Sequence, residues 1–110
     1  MQRMKRVVIT GLGALTPIGN TLSEYLLGLQ KGISGANLIT QFDASLFKTQ
    51  FACEVKDFNP EAHIDRREAR RLDRFTQFAM VTADEAIKDS GLDLEAINKQ
   101  RVGVIWASGI

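Results

Sequence analysis

The sequence predicts an α/β fold with a partly parallel sheet, and three observations favour this class. The run "KRVVIT" holds Val7, Val8 and Ile9 in succession, which is typical of a strand covered on both faces. Amphipathic helical segments follow this run along the chain. A second apolar run, Val102 to Trp106, comes after the last of them, so strands and helices alternate as they do in α/β proteins.

The first helix is predicted over "TLSEYLLGLQKG". Leu22, Leu26 and Leu29 recur there at helical spacing, and Thr21 with Glu24 matches the capping box, in which side chains satisfy backbone N–H groups at a helix start. The next stretch, "ISGANLITQFDASLF", mixes turn-forming residues with single apolar ones. We therefore expect a long connection after the helix.

A half-buried strand is predicted over "TQFACEVKDF", because Phe51, Cys53 and Val55 alternate with less apolar residues. Asn59 followed by Pro60 is typical of the start of a helical turn. The strand should bury its Phe51 side and leave the other side to solvent.

From Asp65 the sequence is helical in character, as a short piece and then a longer one that starts near Asp73 and ends at Gly91. The longer piece has a broad apolar face and should be largely buried. Its apolar positions are Phe75, Phe78, Ala79, Thr82, Ala83, Ala86 and Ile87. A brief helical turn in "LDLEAINKQ" then precedes the final strand.

Length and composition are those of one soluble globular domain, with 110 residues of which 45% are hydrophobic and 25% charged. No apolar run approaches the roughly 20 residues of a membrane span, and the start lacks the features of a signal peptide, so we expect a cytoplasmic protein without membrane contact. Cys53 is the only cysteine and His63 the only histidine, which excludes an internal disulfide and a Cys/His zinc site. The net charge of +1 gives no global signal for nucleic acid.

The glycines of "VVITGLGALTPIG" resemble a nucleotide-binding loop only in part. A dinucleotide fingerprint that uses Gly11 and Gly13 needs a third glycine where Thr16 stands, and no Gly-Lys-Ser/Thr follows for a phosphate loop. We therefore expect no cofactor, and we expect Gly11, Gly13 and Gly19 to turn a tight corner.

Two nucleophile hypotheses are weaker than their structural alternatives. Ser108 follows a strand, but the hydrolase elbow needs glycines where Trp106 and Ile110 stand. Cys53 could pair with His63 as thiolate and base, yet its apolar neighbours favour core packing and an inert thiol. His63 is most simply a surface residue.

A cluster of arginines is the strongest local signal. Arg67, Arg70, Arg71 and Arg74 are spaced so that a continuous helix would carry them as one basic stripe, with Arg66 adjacent. This stretch contains five arginines and three acidic residues, which leaves a local excess of positive charge. The guanidinium group of arginine is planar and can form two parallel hydrogen bonds with a carboxylate or phosphate. The alternatives are a solvated helix face and a docking site for an anionic partner. No aromatic residues interleave the arginines, which argues against a single-stranded nucleic acid.

Five segments in order resemble type II β-ketoacyl-acyl carrier protein synthases, condensing enzymes of the thiolase-like superfamily. They are "RVVITGLGALTPIGNT", "FDASLFKTQFACEVKDF", "IDRREARRLDRFTQFAM", "AIKDSGL" and "RVGVIWASGI". The resemblance implies that residues 1–110 form the amino-terminal portion of a thiolase-like, five-layered αβαβα fold. It implies a partial domain that ends before the catalytic residues, in an enzyme that is a homodimer when intact.

The resemblance also implies an activity, which is fatty-acid elongation by decarboxylative condensation of an acyl-enzyme with malonyl-acyl carrier protein. In the family the nucleophilic cysteine and two histidines follow the "SGI" segment, so we assign no catalytic residue and no metal ligand within this chain and expect the chain alone to be inactive. Ile110 matches an isoleucine that lines the acyl pocket, and Arg67, Arg70 and Arg71 match a docking surface for acyl carrier protein.

Two alternatives stay open at this point. "ITGLG" by itself favours a small nucleotide-binding, dehydrogenase-like α/β domain, and the arginine cluster by itself favours a noncatalytic module that binds an acidic partner.

Overall fold

The structure is a computed structural model that describes residues 4–109. Helices α1 (Leu22–Gln30), α2 (Arg66–Ala69) and α3 (Arg74–Ser90), strands β1 (Ala36–Leu38) and β2 (Phe51–Cys53), and single 3₁₀ turns at Pro60–Ala62 and Lys99–Arg101 make up its regular structure. Within these residues, none of the helices combines the length and the apolar character that crossing a bilayer requires.

The start of α1 confirms the predicted capping interactions. The hydroxyl of Thr21 accepts from the N–H of Glu24 at 3.2 Å, and the Glu24 carboxylate accepts from the N–H of Asn20 at 2.7 Å. Backbone donors at the helix start are thereby satisfied, as the sequence pattern predicts.

The strand predicted over "TQFACEVKDF" is confirmed as β2, which is shorter than predicted and belongs to a two-stranded antiparallel ribbon. β1 pairs with β2 in a register that places Ala36 opposite Cys53 and Leu38 opposite Phe51. The ribbon is fastened at one end by Glu54, whose carboxylate accepts from the N–H and the hydroxyl of Thr40. β1 lies in the stretch that was expected to be a connection, because strand pairing depends on a distant partner that local sequence does not reveal.

The two predicted parallel strands are not formed in the described residues, which corrects the expected sheet. The segment before Gly11 and the segment after Val102 have no regular secondary structure and belong to no ladder within residues 4–109. Val7 is 91% exposed and Ile105 is 95% exposed. A strand requires a hydrogen-bonded neighbour, and neither segment has one within residues 4–109.

Helix α3 has the predicted ends and less burial than predicted. Asp73 caps its start, and Gly91 at φ +65° ends it in the left-handed conformation. Val81 is its one buried residue, and it packs with Ile64 and Ala69 in the core. Much of the apolar face is therefore uncovered in the described part of the chain.

The surface area and dimensions of the chain show that it is less compact than a folded domain of the same length. Its accessible surface is 9638 Å² at 12.2 kDa, against about 6,000 Å² for a compact folded monomer of that mass. Its radius of gyration is 17.7 Å, against about 13 Å for a compact domain of this length.

Two glycines allow the amino-terminal segment to pack closely against α3. A Cβ atom on Gly11 would overlap the carbonyl oxygen of Ala86, and one on Gly13 would overlap that of Thr82. The sequence predicts a tight corner at Gly11 and Gly13, whereas the structure shows a close approach of both to a helix.

Candidate functional site

The arginines do not share a continuous helix, so the single stripe is not formed. α2 ends at Ala69, Arg70 caps it, and a bend that runs to Asp73 separates it from α3. The N–H of Arg71 donates to the carbonyl of Glu68 at 2.9 Å, which closes the first part of the bend. The expectation of a short helical piece followed by a longer one is confirmed.

Two capping carboxylates explain why the helix breaks here. Asp65 accepts from the N–H groups of Arg67 and Glu68 at 2.9 and 3.4 Å, and Asp73 accepts from the N–H of Thr76 at 2.8 Å. Each carboxylate satisfies donors that only a helix start leaves free, so each begins its own helix. The side-chain and backbone hydrogen bonds with Thr76 hold the pKa of Asp73 below its usual 3.8.

The inner side of the bend is attached to the core. Ala69 is 4% exposed, and Leu72 packs against the cluster that contains Ile64 and Val81. The side-chain amide of Gln77 donates to the carbonyls of Ala69 at 2.8 Å and Leu72 at 3.3 Å. The bend is thus held by apolar contacts and by a hydrogen-bonding side chain from the next helix.

Two of the five arginines are engaged within the chain. Arg66 forms an exposed ion pair with Glu61 at 3.4 Å. The guanidinium of Arg74 lies over the rings of Phe58 and Phe78, at 5.8 and 5.2 Å from their centroids, which is the geometry of a cation–π interaction.

The other three arginines, Arg67, Arg70 and Arg71, are exposed, and we call them the basic surface. None of the ion pairs within residues 4–109 involves them. Three guanidinium groups of like charge, turned to solvent, can bind carboxylate or phosphate groups of a partner through charge-assisted hydrogen bonds.

The structure does not support a cysteine–histidine nucleophile pair. Cys53 is exposed on β2, which corrects the expectation that it packs in the core. No described residue covers that face of the ribbon, and Phe51 beside Cys53 is 63% exposed. His63 is a surface residue, as predicted, and lines a groove with Val81 and Asp84. No hydrogen bond joins Cys53 and His63 in the described residues.

The carboxyl-terminal segment offers no serine nucleophile in the described part of the chain. The hydroxyl of Ser108 lies 3.5 Å from the carbonyl of Gly109 and has no hydrogen bond to His63. Trp106 packs against Phe75 with ring centroids 5.9 Å apart. Ile110, the predicted acyl-pocket residue, lies outside the described residues.

The loop that carries Gly11 and Gly13 packs against helix α3. The N–H of Leu12 donates to Asp89 at 2.8 Å, and the N–H of Ala14 donates to Glu85 at 2.8 Å. A phosphate-binding loop must aim such N–H groups at its ligand, so this geometry favours the tight corner over a cofactor loop.

Two residues with bridging roles were missed by sequence reasoning. Lys56 donates to the carbonyls of Pro17 at 3.2 Å and Gly35 at 3.1 Å, and so joins three segments. Gln77 joins α3 to the bend. A polar amide among the apolar positions of α3 is a signal that could have pointed to Gln77, whereas Lys56 carries no local signal.

Curated relatives match this chain along its whole length. It is 49% identical over 110 residues to 3-oxoacyl-(acyl-carrier-protein) synthase 2 of Staphylococcus aureus strain COL, covering 100% of this chain and 27% of that protein. It is 50% identical over 106 residues to the protein of the same name from Coxiella burnetii, covering 96% of this chain and 26% of that protein. The chain therefore spans about a quarter of the length of these relatives.

A solved structure agrees with the sequence matches. The ishigamide ketosynthase/chain length factor superposes with a TM-score of 0.69 at 38% identity, over 80% of this chain and 22% of that one. The family described as beta-ketoacyl synthase, N-terminal domain, matches residues 4–110. The described segments thus belong to a thiolase-like fold, and the chain is a member of the β-ketoacyl synthase family, matching its amino-terminal domain.

Proposed function

We propose that this chain is the amino-terminal part of a 3-oxoacyl-acyl carrier protein synthase that elongates fatty acids. The observation that carries the proposal is the identity of 49% over the full chain to relatives that bear this name. Because the chain spans 27% of such a relative, the activity belongs to the complete enzyme. This reading is preferred over a dehydrogenase-like domain, whose phosphate-binding N–H groups are here bonded to α3 carboxylates.

The proposed reaction has two stages. An active-site thiolate attacks the thioester of acyl-acyl carrier protein, which forms the acyl-enzyme and releases the carrier thiol. Malonyl-acyl carrier protein then loses CO₂, and the resulting carbanion attacks the acyl-enzyme, expelling the enzyme thiolate and leaving a chain two carbons longer on the carrier. Hydrogen-bond donors aimed at the developing oxyanion stabilise the transition state. These catalytic groups are proposed to lie outside this sequence.

The basic surface is proposed to dock acyl carrier protein in its acyl and malonyl forms. Arg67, Arg70 and Arg71 are exposed and are free of internal ion pairs within residues 4–109. Arg66 and Arg74, by contrast, have partners within the chain. The docking surface is therefore proposed to comprise three arginines of the five.

Charge reversal tests the docking proposal in the complete enzyme. The triple variant Arg67→Glu, Arg70→Glu, Arg71→Glu should raise KM for acyl carrier protein by about tenfold or more at low salt, because each lost charge pair across an interface weakens association. Arg101→Glu, on the separate 3₁₀ turn, is the matched control and should change KM by less than about twofold. An unchanged KM in the triple variant would refute the docking assignment.

Ile110 is proposed to line the acyl pocket. A larger side chain there removes volume from the pocket, so Ile110→Phe should lower kcat/KM for long acyl chains more than for short ones. An equal loss for all chain lengths would refute the pocket assignment.

The remaining features of the complete enzyme are also proposed. They are the five-layered αβαβα arrangement, a homodimer and a location in the cytoplasm. The large exposed apolar surface of the described residues supports burial against further polypeptide.

A further inference from the structure

We infer that Gln77 is a positioning residue for the basic surface: its side-chain amide holds the bend that presents Arg70 and Arg71. The inference rests on the proposed docking function and adds to it a residue that does not touch the partner.

Gln77 forms hydrogen bonds with the backbone on both sides of Arg70 and Arg71. Its amide nitrogen donates to the carbonyl of Ala69, immediately before Arg70, and to the carbonyl of Leu72, immediately after Arg71. One planar amide therefore sets the distance between the two ends of the bend. The carbonyl of Ala69 belongs to the last residue of α2 and that of Leu72 follows the helix, so neither has an intrahelical donor in α2.

Burial separates the two sides of this bend. Ala69 is buried, Leu72 packs on the core, and Gln77 is partly buried, whereas Arg70 and Arg71 are exposed. The side that carries Gln77 is thus fixed within the protein, and the arginines occupy the side that a partner can reach.

Such a bracket matters because α2 is only four residues long. A helix of this length is not stable by itself, so the directions of the arginines depend on what anchors the bend. Pre-ordering the bend lowers the conformational entropy that docking would otherwise cost. Removing the amide should weaken docking without altering the charge of the surface.

The test compares two acyl carriers in the complete enzyme. Gln77→Met keeps the size and flexibility of the side chain and removes the donor. Both hydrogen bonds to the bend are lost, and KM for acyl-acyl carrier protein should rise by about fivefold, with kcat within about twofold. KM for the same acyl group on coenzyme A, which lacks the carrier protein, should not change.

Two further variants sharpen the readout. Gln77→Asn retains an amide but is one methylene shorter and cannot bridge both carbonyls. It should therefore also raise KM for acyl-acyl carrier protein. Gln30→Met makes the identical chemical change at the exposed end of α1 and should leave both KM values unchanged.

The outcomes distinguish this inference from the docking proposal. If the triple arginine variant raises KM for acyl carrier protein and Gln77→Met does not, the positioning role is wrong and docking stands. If Gln77→Met lowers kcat on both carriers equally, Gln77 has only a structural role and the inference is again wrong. If the triple arginine variant has no effect, the docking proposal itself fails.

Discussion

The carboxylate of Glu85, on α3, accepts a hydrogen bond from the N–H of Leu22, the first residue of α1, at 2.7 Å. Its other oxygen accepts from the N–H of Ala14 at 2.8 Å. One side chain therefore joins the loop that carries Gly11 and Gly13, the start of α1 and the middle of α3. These backbone donors would otherwise have no partner, since Ala14 is in no strand and Leu22 is in the first turn of a helix.

Glu85→Gln should loosen this junction in the complete enzyme. The amide nitrogen of glutamine would face a backbone N–H and could not accept from it, which costs about 1–3 kcal/mol. Hydrogen exchange should accelerate by tenfold or so at whichever of the Ala14 and Leu22 amides faces the new NH₂ group, since the remaining oxygen can still accept from the other. Glu95→Gln, which alters only an exposed ion pair with Lys99, is the control. Unchanged protection at both amides would contradict the role of Glu85.

Gly13→Ala should destabilise the protein by about 2 kcal/mol or more, because the new methyl group would overlap the backbone of α3 at Thr82. A backbone carbonyl in a helix cannot move aside as a side chain can. The test uses the complete enzyme, with Ser23→Ala, at an exposed position of α1, as the control. Denaturant midpoints of the two variants should therefore differ, and equal midpoints would contradict the close packing of the loop that carries Gly11 and Gly13.

Arg74→Gln should affect stability and leave docking intact. The change removes the cation–π contacts with Phe58 and Phe78, which are worth about 0.5–1 kcal/mol at an exposed site. KM for acyl carrier protein should stay within about twofold, because Arg74 packs on the two aromatic rings and is not part of the basic surface. A rise in KM as large as that of the triple arginine variant would place Arg74 in the docking surface.

The pKa of Asp73 is lowered by its hydrogen bonds with Thr76, which predicts an acid-dependent loss of stability. A carboxylate whose folded-state pKa is depressed stabilises the fold above its unfolded value of 3.8, and this contribution is lost as pH falls through the folded pKa. Asp73→Asn keeps a capping side chain but does not titrate. In the complete enzyme, the melting temperature of the wild type should therefore fall relative to that of Asp73→Asn as the pH is lowered from about 5 to about 3. A constant difference over that interval would contradict the prediction.

The 110 residues expressed alone should give a poorly soluble or molten product without condensing activity. Leu46 is 96% exposed and Ile105 is 95% exposed, and apolar surface on this scale favours aggregation. Binding of a hydrophobic dye, together with a broad melt, is the expected result. A soluble monomer with a sharp cooperative melt would contradict it.

Local sequence signals located the helices and, among the strands, only β2. Thr21, Asp73 and Gly91 act within a few residues of their own position, so the helix limits that they predict are observed. β1 was missed and the predicted strand at Val102 is not formed, because a strand exists only where a partner pairs with it. The same dependence on unseen surfaces explains why Cys53 is exposed although its alternating pattern predicts burial.

By itself the sequence determined the helical segments, the family and the presence of an arginine cluster. Capping, periodicity and linked motifs can each be read along the chain. Tertiary structure alone decided that Arg74 is stacked on aromatic rings and that Gln77 brackets the bend. Those roles depend on contacts among the bend, the segment before it and the folded α3, and such distances are set only when the chain packs.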